Sequence, residues 1–156
     1  MSKNDDASLI NNVIKKNVFK LFAIYFELSE CAEKNCSAEK KNIMANKNAA
    51  DLYTNYKAEK DIKKKIELGE QYSENDLIYE YNKCLMKHCN KILNNLIILI
   101  KSIISAMPKS NSKRKNLDKM ISELEILFKK HQLTKKEFKT YVKNMAELML
   151  SIDKPS

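Results

Sequence analysis

The residues whose type and spacing could do chemistry in this chain are its four cysteines, Cys31 with Cys36 and Cys84 with Cys89, arranged as two C-x4-C pairs. Their flanks echo one another. Residues 27–36, ELSECAEKNC, and residues 80–89, EYNKCLMKHC, share Glu, Cys, Lys and Cys at the same places, a weak sign of duplication with a period of 53 residues.

Three kinds of chemistry fit these cysteines. Reduced thiols can serve as small buried apolar side chains, which is the preferred reading. Disulfides can clamp a helical pair, because the position numbers of Cys31 and Cys89 have the same sum as those of Cys36 and Cys84, the register of two rungs across an antiparallel hairpin. Against this, residues five apart on a continuous helix point about 140° apart, so both rungs can face one partner only where a helix ends beside one pair. The implied hairpin tip also falls near Lys60, where no turn signal stands, whereas Gly69 supplies one. The third reading is a structural zinc site of four thiolates, with His88 as an additional ligand, although zinc pairs are usually two to four residues apart in a tight turn. Redox catalysis would need a Cys-x-x-Cys or an activated thiolate, and neither is visible.

Other groups offer less. His88 and His131 have no motif partner, and Glu123 and Glu125, two apart on a helix, point to different faces and read as surface charges. With a single glycine the chain has no phosphate-cradling loop, dinucleotide fingerprint or nucleophile elbow. The expectation is a non-enzyme without catalytic residues or cofactor.

The elements that must position the cysteines are helices. Hydrophobic residues make up 44% and charged residues 31% of the 156, so a core can form, while one Gly and two Pro leave little for the many turns of a β-rich fold. Ile10, Ile14, Val18, Leu21, Tyr25, Leu28 and Ala32 step by four and three along one helix. Phe19, Phe22 and Phe26 widen its apolar arc, which predicts a helix encircled by others at the centre of the core.

A second, narrower helix is expected over 38–68, closed by Gly69, with Ser73 and Asp76 capping the next. Its Tyr53 and Tyr56 would either present area to a partner or, preferably, pack inside. Leu85, Cys89, Leu93, Leu96, Ile100, Ile103 and Met107 predict one long central helix ending before Pro108, and residues 108–116 read as a linker. Leu117 to Phe128 and Phe138 to Ile152 define two more helices. Thr134 with Glu137 forms a capping box for the last, and Lys129, Lys130 and His131 suit the negative end of the one before. The fold class is therefore all-α: a bundle of about five helices, up-and-down, with a C-terminal helical hairpin. It is expected to be one domain over 1–156, divisible into a three-helix core, 8–107, and a basic hairpin, 113–153.

The net charge of +9 rests on 28 Lys and the lone Arg114, a bias that fits an AT-rich genome. Twelve of the cations, against six acids, fall in residues 108–156. Lys113, Arg114, Lys115, Lys119, Lys135, Lys136, Lys139 and Lys143 are the candidate phosphate contacts of a nucleic-acid-associated protein. A solvated helix face is preferred over that, since Arg is scarce and no aromatic residues interleave.

The preferred function is a non-enzymatic structural or interaction protein, partnered by other proteins in a hetero- or homo-assembly such as a viral particle. The alternative is nucleic-acid binding through the basic hairpin. The polar start, Met1 to Ser8, lacks the features of a secretory signal. The most apolar run, Leu93 to Met107, is interrupted by Asn94, Asn95 and Lys101 and is too short to span a bilayer. The expected location is soluble and intracellular, cytoplasmic or particle-associated.

Overall fold

The computed structural model describes the backbone of residues 3–106 and 113–153, and the side chains of residues 15–106 and 113–151. Among the described residues there are seven helices and no strand: α1 Lys3–Ala45, α2 Lys47–Ala58, α3 Ile62–Glu74, α4 Asp76–His88, α5 Asn90–Ser105, α6 Arg114–Lys129 and α7 Lys135–Asp153. The all-α class holds, and the count exceeds the expected five. Met107, Pro108 and the linker as far as residue 112 lie outside the described residues, as do the side chains of Ile10, Ile14 and Ile152.

One of the two extra helices comes from side-chain caps, the other from a backbone break at Cys89 that carries no side-chain cap. Asn46 accepts from the Ala49 amide at 3.0 Å and opens α2, and Asp61 accepts from the Lys64 amide at 3.0 Å and opens α3. Each satisfies an orphan amide of a helix start. The expected single helix over 38–68 is thereby divided.

The boundary expected at Gly69 is corrected. Gly69 lies buried inside α3 without positive φ, and the junction falls at Asn75, whose side chain accepts from the Ile78 amide at 3.1 Å. Ser73 instead turns its hydroxyl back to the Glu70 carbonyl. Close packing explains the glycine: a Cβ there would stand 3.2 Å from Val142 Cγ1 and 3.5 Å from Tyr56 Cε2, so α3 and α7 approach where no side chain intervenes.

The expected long central helix is also cut, at Cys89, into α4 and α5. After this break α5 is the most buried helix, hiding Leu93, Leu96, Ile97, Leu99, Ile100, Ile103 and Ile104. Buried Asn90, at its first turn, donates to the Phe128 carbonyl, one of the last carbonyls of α6, and its side-chain oxygen accepts from the Asn94 side-chain amide at 2.8 Å. Of the polar interruptions of this apolar run, Lys101 pairs with Glu125 of α6 at 3.1 Å and Asn94 reaches α6 only through Asn90.

The last two expected helical segments are helices, α6 and α7. The capping box closes reciprocally, with the Glu137 amide donating to Thr134 Oγ1 at 3.1 Å and the Thr134 amide to Glu137 Oε1 at 3.0 Å. The backbone bond to Thr134, helped by Lys130, holds the Glu137 carboxyl below its usual range. His131, with φ of 55°, supplies the left-handed residue after α6. α6 and α7 share one apolar cluster with the other helices: Phe128 and Phe138 are fully buried, and Tyr79 donates to the Leu133 carbonyl at 2.6 Å. No helix among the described residues is long and apolar enough to cross a membrane.

The centre of the core is not α1. Leu21, Ile24, Leu28 and Ala32 pack against the cluster on one side, but Phe19, Phe22 and Phe26 are 80%, 64% and 65% exposed. The wide apolar arc is two separate faces, of which the fold covers one.

Candidate functional site

The cysteines are joined as Cys31–Cys89 and Cys36–Cys84, with Cα atoms 6.0 Å apart in both bridges. The preferred expectation of reduced thiols is corrected, since none of the four is free. The angular objection is met by two breaks. Cys36 leaves helical geometry within α1 (φ −129°, ψ 23°), and Cys89 does the same between α4 and α5 (φ −116°, ψ 18°). A rotation at the second cysteine of each pair brings both sulfurs to the same side, which a continuous helix forbids.

The echo in the sequence has a structural counterpart. Exchanging Cys31 with Cys84 and Cys36 with Cys89 maps each bridge onto the other, and the two breaks occupy equivalent positions. At the first break the Asn35 side-chain Nδ2 donates to the Cys31 carbonyl at 3.0 Å. The helix does break beside Lys60, between α2 and α3, where the sequence shows no turn signal, and these two helices fill the loop between the stapled segments.

By loop entropy, closing the larger bridge from an open chain stabilises by about 4 kcal/mol, and adding the smaller one inside it contributes about 3 more. Four thiolates do not surround one point here. Glu39 lies beside Cys36 and Cys84, with one buried carboxylate oxygen lacking a hydrogen bond, but sulfurs consumed in a disulfide are not thiolate ligands for zinc.

Beside the staple lies a cleft of about 720 Å³ whose walls include Tyr53, Tyr56, Tyr72, Tyr81 and Tyr141, with Lys40 and Lys57 among its cations. Tyr56 and Tyr72 stack at 4.3 Å, and Tyr81 meets Tyr53 edge-on at 6.1 Å. Lys40 Nζ donates to the Tyr53 hydroxyl at 2.6 Å and sits 3.9 Å from its ring centroid, with Lys57 at 4.3 Å.

These neighbours divide the phenols. Burial would raise Tyr53, but hydrogen bonds from Lys40 and Lys57 outweigh it and hold that phenol below its ordinary value. Burial pushes Tyr56, Tyr72 and Tyr81 well above theirs and Tyr141 up to about 12. Tyr53 and Tyr56 are thus core residues that carry polar handles, Tyr56 donating to the Val142 carbonyl at 3.3 Å.

The eight cations expected to contact phosphates are spread over the C-terminal hairpin. Lys135 pairs with Asp76, Lys139 with Glu74 at 3.5 Å and Arg114 with Asp118 at 3.8 Å. Lys139 and Lys143 flank a smaller cleft beside Lys65 and Gly69. Lys113, Lys115, Lys119 and Lys136 are exposed. Of the acids read as surface charges, Glu123 accepts from the buried Asn144 amide at 2.9 Å and Glu125 pairs with Lys101 at 3.1 Å.

The feature that sequence reasoning misassigned is the phenylalanine face. On an α-helix at 100° per residue, Phe19, Phe22 and Phe26 lie within about 60° of one another and roughly opposite Leu21, Ile24 and Leu28. Exposure matches that geometry on both sides. Comparison with protein-family models, curated proteins and solved structures finds no match for this chain.

Proposed function

We propose that this is a non-enzymatic interaction protein, a component of a larger assembly, in which a disulfide-stapled helical body presents the outer face of α1 to another protein surface. The observation carrying this reading is the row Phe19, Phe22 and Phe26, three large rings in contiguous exposure on a helix whose opposite face packs on the body. Burying a phenylalanine gains roughly 1.5–3 kcal/mol, so the row leaves several kcal/mol of association energy unused in the isolated chain. Contiguous exposed apolar residues with a polar rim mark interaction surfaces, whereas single ones do not. Two intact disulfides suit a protein that meets an oxidising environment.

Phosphate binding by the C-terminal hairpin is the weaker reading, because Lys135, Lys139 and Arg114 already face carboxylates. A photo-crosslinking residue placed at 22 in the native host tests the docking face, with the exposed Ile98 and Ile126 on α5 and α6 as controls. Protein adducts concentrated at position 22 are expected. Equal capture at the three positions, or none at 22, contradicts it.

A further inference from the structure

The charges around the phenylalanine row are segregated along α1. Lys15, Lys16 and Lys20 stand exposed on its N-terminal side, and Glu27, Glu30 and Glu33, followed by a single Lys34, stand exposed on its C-terminal side. A partner helix complementary to this surface must carry acids facing the first group and cations facing the second, with an apolar row between. An antiparallel copy of α1 has that composition.

Register follows from the same residues. Centred between Phe22 and Ala23, an antiparallel copy brings Phe19 opposite Phe26, the two Phe22 rings together beside the axis, and Lys15 opposite Glu30 at both ends. Lys15, Phe19, Phe22, Ala23, Phe26 and Glu30 are all exposed. They all fall on the side of the helix turned away from its own body. A two-fold axis makes such a patch its own partner, so each contact occurs twice. A parallel copy would set Lys15 against Lys15 and Glu30 against Glu30. An anionic membrane would attract the lysine end and repel the glutamate end.

Resting on the docking face proposed above, we infer that its occupant is a second copy of this chain, paired antiparallel through α1 about a two-fold axis near residues 22 and 23. Each α1 is then covered on both sides, by its own body and by the other copy's helix.

Sedimentation of the full chain without reductant, together with single-cysteine crosslinking, tests this. All native cysteines are bridged, so K15C and E30C each carry one free thiol. The expected results are a concentration-dependent dimer, weakened at least about thirtyfold by F22D, and a K15C–E30C crosslink on mixing, with neither variant linking to itself. A monomer up to roughly 0.1 mM without crosslinks overturns the pairing, as does K15C linking to itself. Binding of the monomer to phosphatidylserine vesicles that is lost in F22D overturns it in favour of a membrane. Adducts at position 22 to a different protein, from a chain that sediments as a monomer, reject the self-pairing while leaving the docking face standing.

Discussion

The two ends of α1 carry the same kind of apolar spacing and meet opposite fates. At and beyond the break, Cys36 and Ile43 are completely buried, whereas before it Phe19, Phe22 and Phe26 stand in solvent. The staple separates them: Cys31 and Cys36 tie the second half to α4 and the start of α5, and the first half runs on with only one side against the body. Periodicity identifies a face that wants cover. Whether the chain itself supplies that cover depends on where the helix is anchored.

Loss of the anchor has the largest expected effect. Full reduction, or serine at all four cysteines, should cost about 4 kcal/mol or more, a fall in Tm of roughly 10–20 °C for a domain this size. Calorimetry with and without reductant measures it; an unchanged Tm would remove the staple from the account. Phe138→Ala comes next, because its ring is fully buried between α4 and α7 residues such as Tyr79 and Tyr141. It should lose about 3–5 kcal/mol in denaturant unfolding.

Alkaline pH should sharpen the contrast within the tyrosine cleft. Tyr56, Tyr72, Tyr81 and Tyr141 have raised folded-state values, so the unfolded chain releases their protons first and stability falls as pH rises beyond the ordinary phenol value near 10. Tyr53 has the opposite sign and contributes stability above that pH. Among these five of the seven tyrosines, tyrosinate absorbance should therefore show one early phenol, absent in Tyr53→Phe, followed by a cooperative step coinciding with loss of helical circular dichroism. Five phenols titrating together near 10 in a folded protein would contradict this.

Smaller still is Thr134→Ala, which opens the capping box of α7 and should cost about 1 kcal/mol. Phe22→Ala is expected to change monomer stability by less than about 0.5 kcal/mol, since its ring has little to lose in the isolated body. Denaturant unfolding of Phe22→Ala beside Phe138→Ala is the internal comparison. A Phe22 cost rivalling that of Phe138 would mean that the row is covered by its own chain.

Much of the fold is legible from spacing and caps. Helices α6 and α7, the Thr134–Glu137 box and the apolar face of α5 follow from residues three and four apart. Gly69 misled because glycine serves close packing as well as turns, and here Val142 supplies the reason. The caps at Asn46, Asp61 and Asn75 are hard to distinguish in a chain rich in Asn, where most such residues cap nothing.

The staple register was readable from position numbers alone. What hid it was the assumption of unbroken helices at Cys36 and Cys89, where backbone rotation is tied to the bridge itself. The phenylalanine row could not be separated from core by periodicity, since an apolar arc on a helix looks the same whether its own chain or another covers it.

The bridges set everything that α1 presents, and a tryptic map under non-reducing conditions tests them most directly. Lys34 lies between Cys31 and Cys36 and Lys87 between Cys84 and Cys89, so cleavage at both places every cysteine on its own peptide. Mass spectrometry should find 31 linked to 89 and 36 linked to 84. Peptides joining 31 to 84 and 36 to 89, or four free thiols, would contradict the stapled frame.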